Sequence, residues 1–368
     1  MTPVEARVRG EIARRGPIPF EEVVDLALYH PDAGFYATGG RAGRRGDFLT
    51  SPEVGPLFGA VVARALDRWW GELQEPEVFT VIEAGAGPGT LARTILAASP
   101  RCARALRYVL VEASAGQRAA HAEHLALDAP AFAFASLPDP DDEDEAPAVV
   151  SGPIVVSLPA LPRVPGPCVV LANELLDNLP FGLIERGADG WADICVGVED
   201  DALVEVPVPA ATALDRPMAV GARIPDQSRA AGWVRDARQL AGPGGRLVAL
   251  DYVSTTPELA ARAWLDWVRT YRGHARGGHP LRNLGTQDIT CEVAVDQLPV
   301  PAQDHSQADW LRAHGIDELV DEGRAIWRER AAIGDLQAIR ARSRVTEADA
   351  LLDPAGLGAF RVLEWEGQ

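Results

Sequence analysis

The chain has 368 residues, 47% of them apolar and 24% charged, with a formal charge of −18. That length allows one large domain or two smaller ones around a sizeable core, and the balance is that of a soluble globular protein. So negative a chain is a poor match for nucleic acid, whose phosphates need clustered Lys and Arg, or for an anionic membrane surface; small molecules and basic protein segments remain as partners.

Residues 4–15 and 19–29 read as two short helices punctuated by Pro17 and Pro19, followed by a turn at "HPDAG" (30–34). The N-terminal stretch has no apolar run of the secretory kind, and nowhere do about 18 consecutive apolar residues occur. Cys102, Cys168, Cys195 and Cys291 are scattered without a CxxC pair. Neither a disulfide framework nor a metal site is expected, and a cytoplasmic location is. Past a glycine- and arginine-rich stretch (37–50), Ser51, Pro52 and Glu53 suit a helix start, with Ser51 as N-cap. The helix is expected to reach about Leu73 and to bury Val54, Leu57, Phe58, Val61, Val62, Ala65, Leu66 and Trp69.

From Glu77 the pattern alternates strand and helix, as in a parallel sheet covered on both faces. "VFTVIEA" (78–84), "LRYVLVEA" (106–113), "FAFAS" (132–136), "CVVLANE" (168–174) and "GRLVALDYV" (245–253) read as strands. Helices are expected over 90–99, 115–126 and 226–241, then near 306–314 and 317–329, and "FRVLEWE" (360–366) reads as the last strand. Residues 182–209 alternate like antiparallel strands, with turns at "GADG" and "EDD", and look like an insertion at about 181–225. "DPDDEDEAP" (139–147) reads as a solvated acidic loop, because such runs self-repel and bury nothing. The pattern divides into an N-terminal helical extension (1–76) and a core (77–368).

In "VIEAGAGPGT" (81–90) a strand runs through Gly85, Gly87 and Gly89 into a helix. Glycines there let the backbone approach a ligand and leave helix N–H groups free to bind it. Glu112, at the end of the next strand, is placed to accept ribose hydroxyls. An ordinary tight turn explains one such glycine but not three. A dinucleotide fingerprint wants GxGxxG, whereas position 90 is Thr and the third glycine falls at 89. Glu83 sits where it can receive a cationic amino group, which S-adenosylmethionine has and a pyrophosphate lacks. "ANELLDNLP" (172–180) follows another strand, bringing Asn173 and Glu174 to the edge where open α/β sheets bind ligands. Glu174 and Asp177 lie three apart on the helical turn that starts here, so both can face one ligand. Two carboxylates suit a guanidinium acceptor, which must be clamped and relieved of a proton. An N-capping Asn with helix-dipole acids is the plainer reading of this stretch alone.

With both motifs present, the chain resembles the MidA-like group of class I methyltransferases, which includes the mitochondrial protein-arginine methyltransferase needed for respiratory complex I assembly. The matching stretches are "GPIPFEEVVDLALYHPDAGFY" (16–36), "GDFLTSPEVGPLFG" (46–59), "EAGAGPGTL" (83–91), "ANELLDNLP" (172–180), "GTQDIT" (285–290) and "LLDPAGLGAFRVL" (351–363). The resemblance implies an α/β class I (Rossmann-like) seven-stranded sheet, with the N-terminal helical extension over the cofactor site and the antiparallel β segment inserted. It implies that Asp47, Thr50, Ser51 and Pro52 come near the cofactor and that Asp288 and Thr290 stand on the acceptor side. Read without it, those stretches are a flexible loop with a helix cap and a turn leading into a strand. Pro88, Ala84 and Ala86 depart from commoner residues of the family but keep the glycines.

The expected activity is S-adenosylmethionine-dependent methyl transfer to a protein side-chain nitrogen, arginine favoured, with a complex I subunit the substrate that the resemblance implies. One alternative is an assembly factor or chaperone that binds the cofactor without turnover. The weaker one is a nicotinamide-dependent oxidoreductase. Trp69, Trp70, Trp264 and Trp267 read as packing, and His274 and His279 lack the spacing of a metal pair.

Overall fold

Seven strands build the central sheet: β1 (Phe79–Ala84), β2 (Leu106–Val111), β3 (Ile154–Leu158), β4 (Cys168–Asn173), β5 (Arg246–Asp251), β6 (Gln303–Ser306) and β7 (Arg361–Glu366). Their spatial order is β6-β7-β5-β4-β1-β2-β3. The neighbours from β5 to β3 run parallel, and β7 is antiparallel to both β5 and β6. This is the seven-stranded class I sheet that the family resemblance implies. The computed structural model describes residues 1–39, 50–134, 150–210, 218–272 and 275–368.

Side chains alternate between two cores along each strand, as a period of two dictates. Val81, Tyr108, Leu110, Val169, Leu171, Val248 and Leu250 join one cluster. Ile82, Val109, Val111, Val170, Ala172, Leu247 and Ala249 join the other. Burial on both faces explains why these strands read as nearly continuous apolar runs.

The N-terminal residues form α1 (Pro3–Arg15), α2 (Phe20–Tyr29), α3 (Ser51–Val54) and α4 (Pro56–Glu72). Helix α4, together with α5 (Thr90–Ala97) and the C-terminal helices Gln307–Ala313, Ile316–Arg330 and Leu336–Leu351, supplies the first cluster, and Ser228–Ala241 packs into the second. A third cluster joins α1 and α2 to the insertion through Val8, Phe20, Val24, Phe181, Ile194 and Val196. The short strand Ile18–Pro19 pairs with Trp191–Glu199 of the insertion, Ile18 opposite Val196. In that insertion, Trp191–Glu199 and Ala202–Pro209 form a hairpin whose two turn residues, Asp200 and Asp201, both have positive φ, as a tight two-residue turn demands. Among the described residues no helix is long and apolar enough to cross a membrane.

Several expectations need correction. The described part of "FAFAS", 132–134, is not a strand but belongs to a short helix, Pro130–Phe134, with Phe132 exposed, and the third strand of the sheet is Ile154–Leu158. The helix expected from Ser51 to Leu73 breaks at Gly55, which is extended (φ 167°) because the following Pro56 disfavours helical geometry before it. Thr50, not Ser51, is its N-cap, although all eight expected core residues are buried. The helix Leu336–Leu351 has no counterpart in the expected elements. Asp47, the arginines at 41, 44 and 45, His274 and the acidic run 139–147 lie outside the described residues.

Candidate active site

Strand β1 stands between β4 and β2, at the point where the chain order reverses, and the carboxyl ends of β1, β2 and β4 meet there: Ala84 lies opposite both Val111 and Ala172. Open α/β sheets bind ligands at such a switch point. A cavity of about 330 Å³ opens there, in the range of small-molecule sites. It is lined by Glu83, Gly85, Gly87, Glu112, Thr50, Pro52, Asn173 and Glu174, so most of the site residues expected from sequence share one wall system. Gly89, Ser51, Asp177, Asp288 and Thr290 do not line it.

The loop from β1 to α5 turns through Gly85, Gly87 and Gly89, whose φ values are +68°, +54° and +81°. L side chains rarely adopt that region, which accounts for all three glycines. A Cβ on Gly85 would lie 2.9 Å from Leu175 Cδ1. Gly89 is the N-cap of α5, so its role is to start the helix. The Gly87 N–H donates to Glu112 Oε2 (2.9 Å), and the Ser114 N–H donates to Glu112 Oε1 (2.7 Å). Burial raises the Glu112 pKa against those backbone donors and Arg118. The Gly87 carbonyl accepts from His121 Nε2 (2.7 Å), on α6 (Ala115–His124), a fully buried residue that nothing in the sequence singled out.

Glu83 accepts from the Tyr108 hydroxyl (2.7 Å); burial outweighs that bond and holds its pKa up at about 7. On the opposite side of the loop, the Thr90 hydroxyl donates to Glu53 Oε1 (2.7 Å) and ties α3 to α5. Ser51 is wholly buried, donating its hydroxyl to Gln307 Oε1 (2.9 Å).

Glu174 follows β4 with φ +50°, a conformation that for a non-glycine residue costs on the order of 1–3 kcal/mol and clusters at functional sites. Its N–H donates to the Leu250 carbonyl, while Oε1 accepts from Asn173 Nδ2 (3.3 Å) and weakly from the Ser51 N–H (3.4 Å). Glu174 Oε2 and Asn173 Oδ1 are buried with no hydrogen-bond partner among the described residues. Burial first, and then the Asp251 carboxylate, raise the Glu174 pKa to about 8. Asp251, at the end of β5, is held at about 7 by burial, against the N–H groups of Leu176 (2.9 Å), Asp177 (3.3 Å) and Tyr252 (2.9 Å).

The turn after Glu174 is a 3-10 turn, Leu176–Asn178, so the helical i,i+3 geometry assumed for Glu174 and Asp177 does not apply. Asp177 is buried and lines a separate, much smaller pocket with Tyr252, Trp267 and Thr290. Burial and the neighbouring acids raise its pKa well above normal. Asp288 is fully buried; its Oδ1 accepts from the Tyr36 hydroxyl (3.1 Å), Asn178 Nδ2 (3.1 Å) and its neighbour's N–H. Tyr36 and Asn178, which both line the main cavity, connect Asp288 to it. Trp267 is core, Trp264 packs on Phe20, and His279 pairs with Glu205 in the insertion; none lines the main cavity.

This arrangement fits an S-adenosyl ligand: a loop whose three glycines let its backbone be approached closely, and a carboxylate at the end of β2, both on the cavity wall. A sequence model of the family described as "Putative S-adenosyl-L-methionine-dependent methyltransferase" matches residues 61–314. The protein arginine methyltransferase NDUFAF7 homolog of Drosophila melanogaster is 30% identical over 199 residues, 52% of this chain and 44% of that protein. The mouse protein arginine methyltransferase NDUFAF7, mitochondrial, is 26% identical over 346 residues, 86% of this chain and 75% of that protein. A superfamily member from Burkholderia thailandensis, solved with S-adenosyl-homocysteine bound, superposes with a TM-score of 0.77 at 27% identity, covering 98% of this chain and 91% of the neighbour. The ligand of the Burkholderia protein is the demethylated form of the cofactor, and S-adenosylmethionine is the cofactor of this chain. From its glycine loop to its C-terminal helices, the chain belongs to the MidA-like family of S-adenosylmethionine-dependent methyltransferases.

Proposed function

We propose that this methyltransferase modifies a protein side-chain nitrogen, and that the nitrogen belongs to arginine. The observation that carries the reading is the buried acid group at the acceptor end of the cavity: Glu174 on its wall, with Asp251 and Asp177 behind it. Burial shifts these carboxyls toward their protonated forms in the absence of a cation. A guanidinium keeps its charge throughout the physiological range, so its arrival favours their ionised forms; a neutral amide gains nothing comparable. The two unfilled acceptors, Glu174 Oε2 and Asn173 Oδ1, suit a group made only of N–H donors.

When bound, S-adenosylmethionine supplies an activated methyl group. Methylation of a guanidinium nitrogen releases one proton, and in this reading an ionised Glu174 on the wall takes it. Asn173 and Glu174 orient the acceptor, and alignment alone supplies much of the rate in such a displacement. The curated relatives are named protein arginine methyltransferases, which supports the reading at the level of kinship. A respiratory complex I subunit is the first substrate to try. The four free cysteines support a reducing compartment, which we propose to be the cytoplasm.

A cofactor-binding assembly factor without turnover is the second reading, favoured by the turning of Asp177 away from the main cavity. Incubation with isotopically labelled S-adenosylmethionine and a proteome from the parent cell decides between them. Methylarginine by mass spectrometry, absent with Glu174→Gln, is the expected result. Label on another residue type overturns the arginine assignment, and tight cofactor binding with no labelled protein favours the second reading.

A further inference from the structure

Two tyrosines of the N-terminal extension, outside the segment that the family model matches, line the main cavity. Tyr29, at the end of α2, and Tyr36 stack at 5.5 Å between ring centroids, with 27° between planes. Their hydroxyls are both committed: Tyr29 donates to the Asn178 carbonyl (3.0 Å) and Tyr36 to Asp288 Oδ1 (3.1 Å). Burial and the nearby acids hold both phenols protonated, so both remain donors. The main chain of Tyr36 is fixed as well, its carbonyl accepting from the Ser114 hydroxyl (2.7 Å) next to Glu112. The pair is therefore anchored at the cofactor side through Ser114 and at the acceptor side through Asp288 and Asn178.

With their polar ends anchored, what the pair offers the cavity is aromatic surface. The electronegative face of a phenol ring attracts cations and is indifferent to neutral isosteres. Methyl transfer to arginine brings two cations together, a sulfonium and a guanidinium, and their repulsion has to be offset where they meet. We propose that Tyr29 and Tyr36 form a cation-receiving aromatic wall of this cavity. The guanidinium source rests on the arginine reading above; the sulfonium source requires only the cofactor.

Two affinity ratios separate the sources. The first is S-adenosylmethionine over S-adenosylhomocysteine, charged against neutral. The second, on protein saturated with S-adenosylhomocysteine, is an arginine-containing peptide over its citrulline counterpart. Both are measured by calorimetry on the full chain with Tyr29→Leu, Tyr36→Leu, the two Tyr→Phe controls, and a fluorinated phenylalanine series at each position. The fluorinated rings keep shape while weakening the negative face, so a leucine variant that fails to fold does not end the test. In the leucine and fluorinated proteins one ratio is expected to fall by roughly two- to thirty-fold, the range of cation–π contacts, with phenylalanine within about twofold of wild type. A fall in the first ratio assigns the wall to the sulfonium, and a fall in the second to the guanidinium. If both ratios hold at wild-type values across the series, the proposal is overturned. A wild-type protein that binds the citrulline peptide as well as the arginine peptide refutes the arginine reading instead, and the sulfonium ratio still decides the wall.

Discussion

Gly87 and His121 share a hydrogen bond of 2.7 Å from imidazole Nε2 to the glycine carbonyl, while the N–H of the same glycine donates to Glu112. A carbonyl can only accept, so Nε2 carries the hydrogen. Nδ1 then accepts from the Ser157 hydroxyl at 2.8 Å in a neutral imidazole. Burial lowers the His121 pKa, in keeping with that form. The loop is thus held from both sides of one glycine, before any ligand arrives. His121→Leu leaves the part-buried Gly87 carbonyl without this donor, at about 1–3 kcal/mol. We expect S-adenosylhomocysteine to bind about tenfold or more weakly to it by calorimetry. His121→Gln restores an amide donor and is expected to stay within about threefold of wild type. Equal affinity in the leucine variant would remove His121 from the site.

Gly87→Val tests the loop itself. At φ +54° a side chain costs roughly 1–2 kcal/mol, and a β-branched one more. Loss of cofactor binding with an unchanged far-ultraviolet spectrum is the expected pair of results. Retained binding would mean that the ligand approaches the loop from elsewhere.

How much of this site was legible in the sequence depended on how local its signals were. Gly85, Gly87 and Gly89 declare a loop at positive φ because the three fall within five residues. The partners of His121 lie 34 and 36 residues away, and nothing in "AGQRAAHAEH" points to them. Asp251 falls inside the strand expected over 245–253; only the sheet order brings it under the turn that follows β4. Glu174 and Asp177 were paired through an assumed α-helical turn, and the left-handed residue at 174 breaks that geometry. The helix Leu336–Leu351 buries Ala338, Ala341 and Ala348, residues too small to make a strong apolar stripe.

That helix has a measurable role. Glu347 Oε2 accepts from the Leu57 N–H at 2.8 Å, capping the start of α4, where Pro56 and Gly55 leave no side-chain cap. A Cβ on Gly55 would come within 2.2 Å of the Glu347 carboxyl carbon, so the glycine makes room for the acid. Glu347→Ala should lower stability by about 1–2 kcal/mol, the usual effect of losing a helix cap, in denaturant titration. A variant with the midpoint of wild type would show that the contact contributes nothing.

Glu174 gives a prediction with two readouts of opposite sign. Its pKa is raised in the folded protein to about 8, from 4.5, chiefly by burial. Across that window the folded state binds a proton that the unfolded chain has already lost, so stability falls as pH rises from about 4.5 to about 8. Glu174→Gln removes this contribution. Its Tm should match wild type below about pH 4.5 and exceed it by about 2 °C or more above pH 8, measured without acceptor. Glu83 and Asp251, each at about 7, keep a slope of their own in both proteins, so the difference between variant and wild type is the quantity to follow. Methyl transfer by the same variant should fall at least about 100-fold, with S-adenosylhomocysteine affinity within about threefold of wild type. A residue kept at a position where its neutral isostere is more stable is kept for what it does. If Glu174→Gln is instead less stable at high pH, the carboxylate is paired in the native state and the acid group is structural; if it is more stable and still transfers methyl, the proton goes elsewhere.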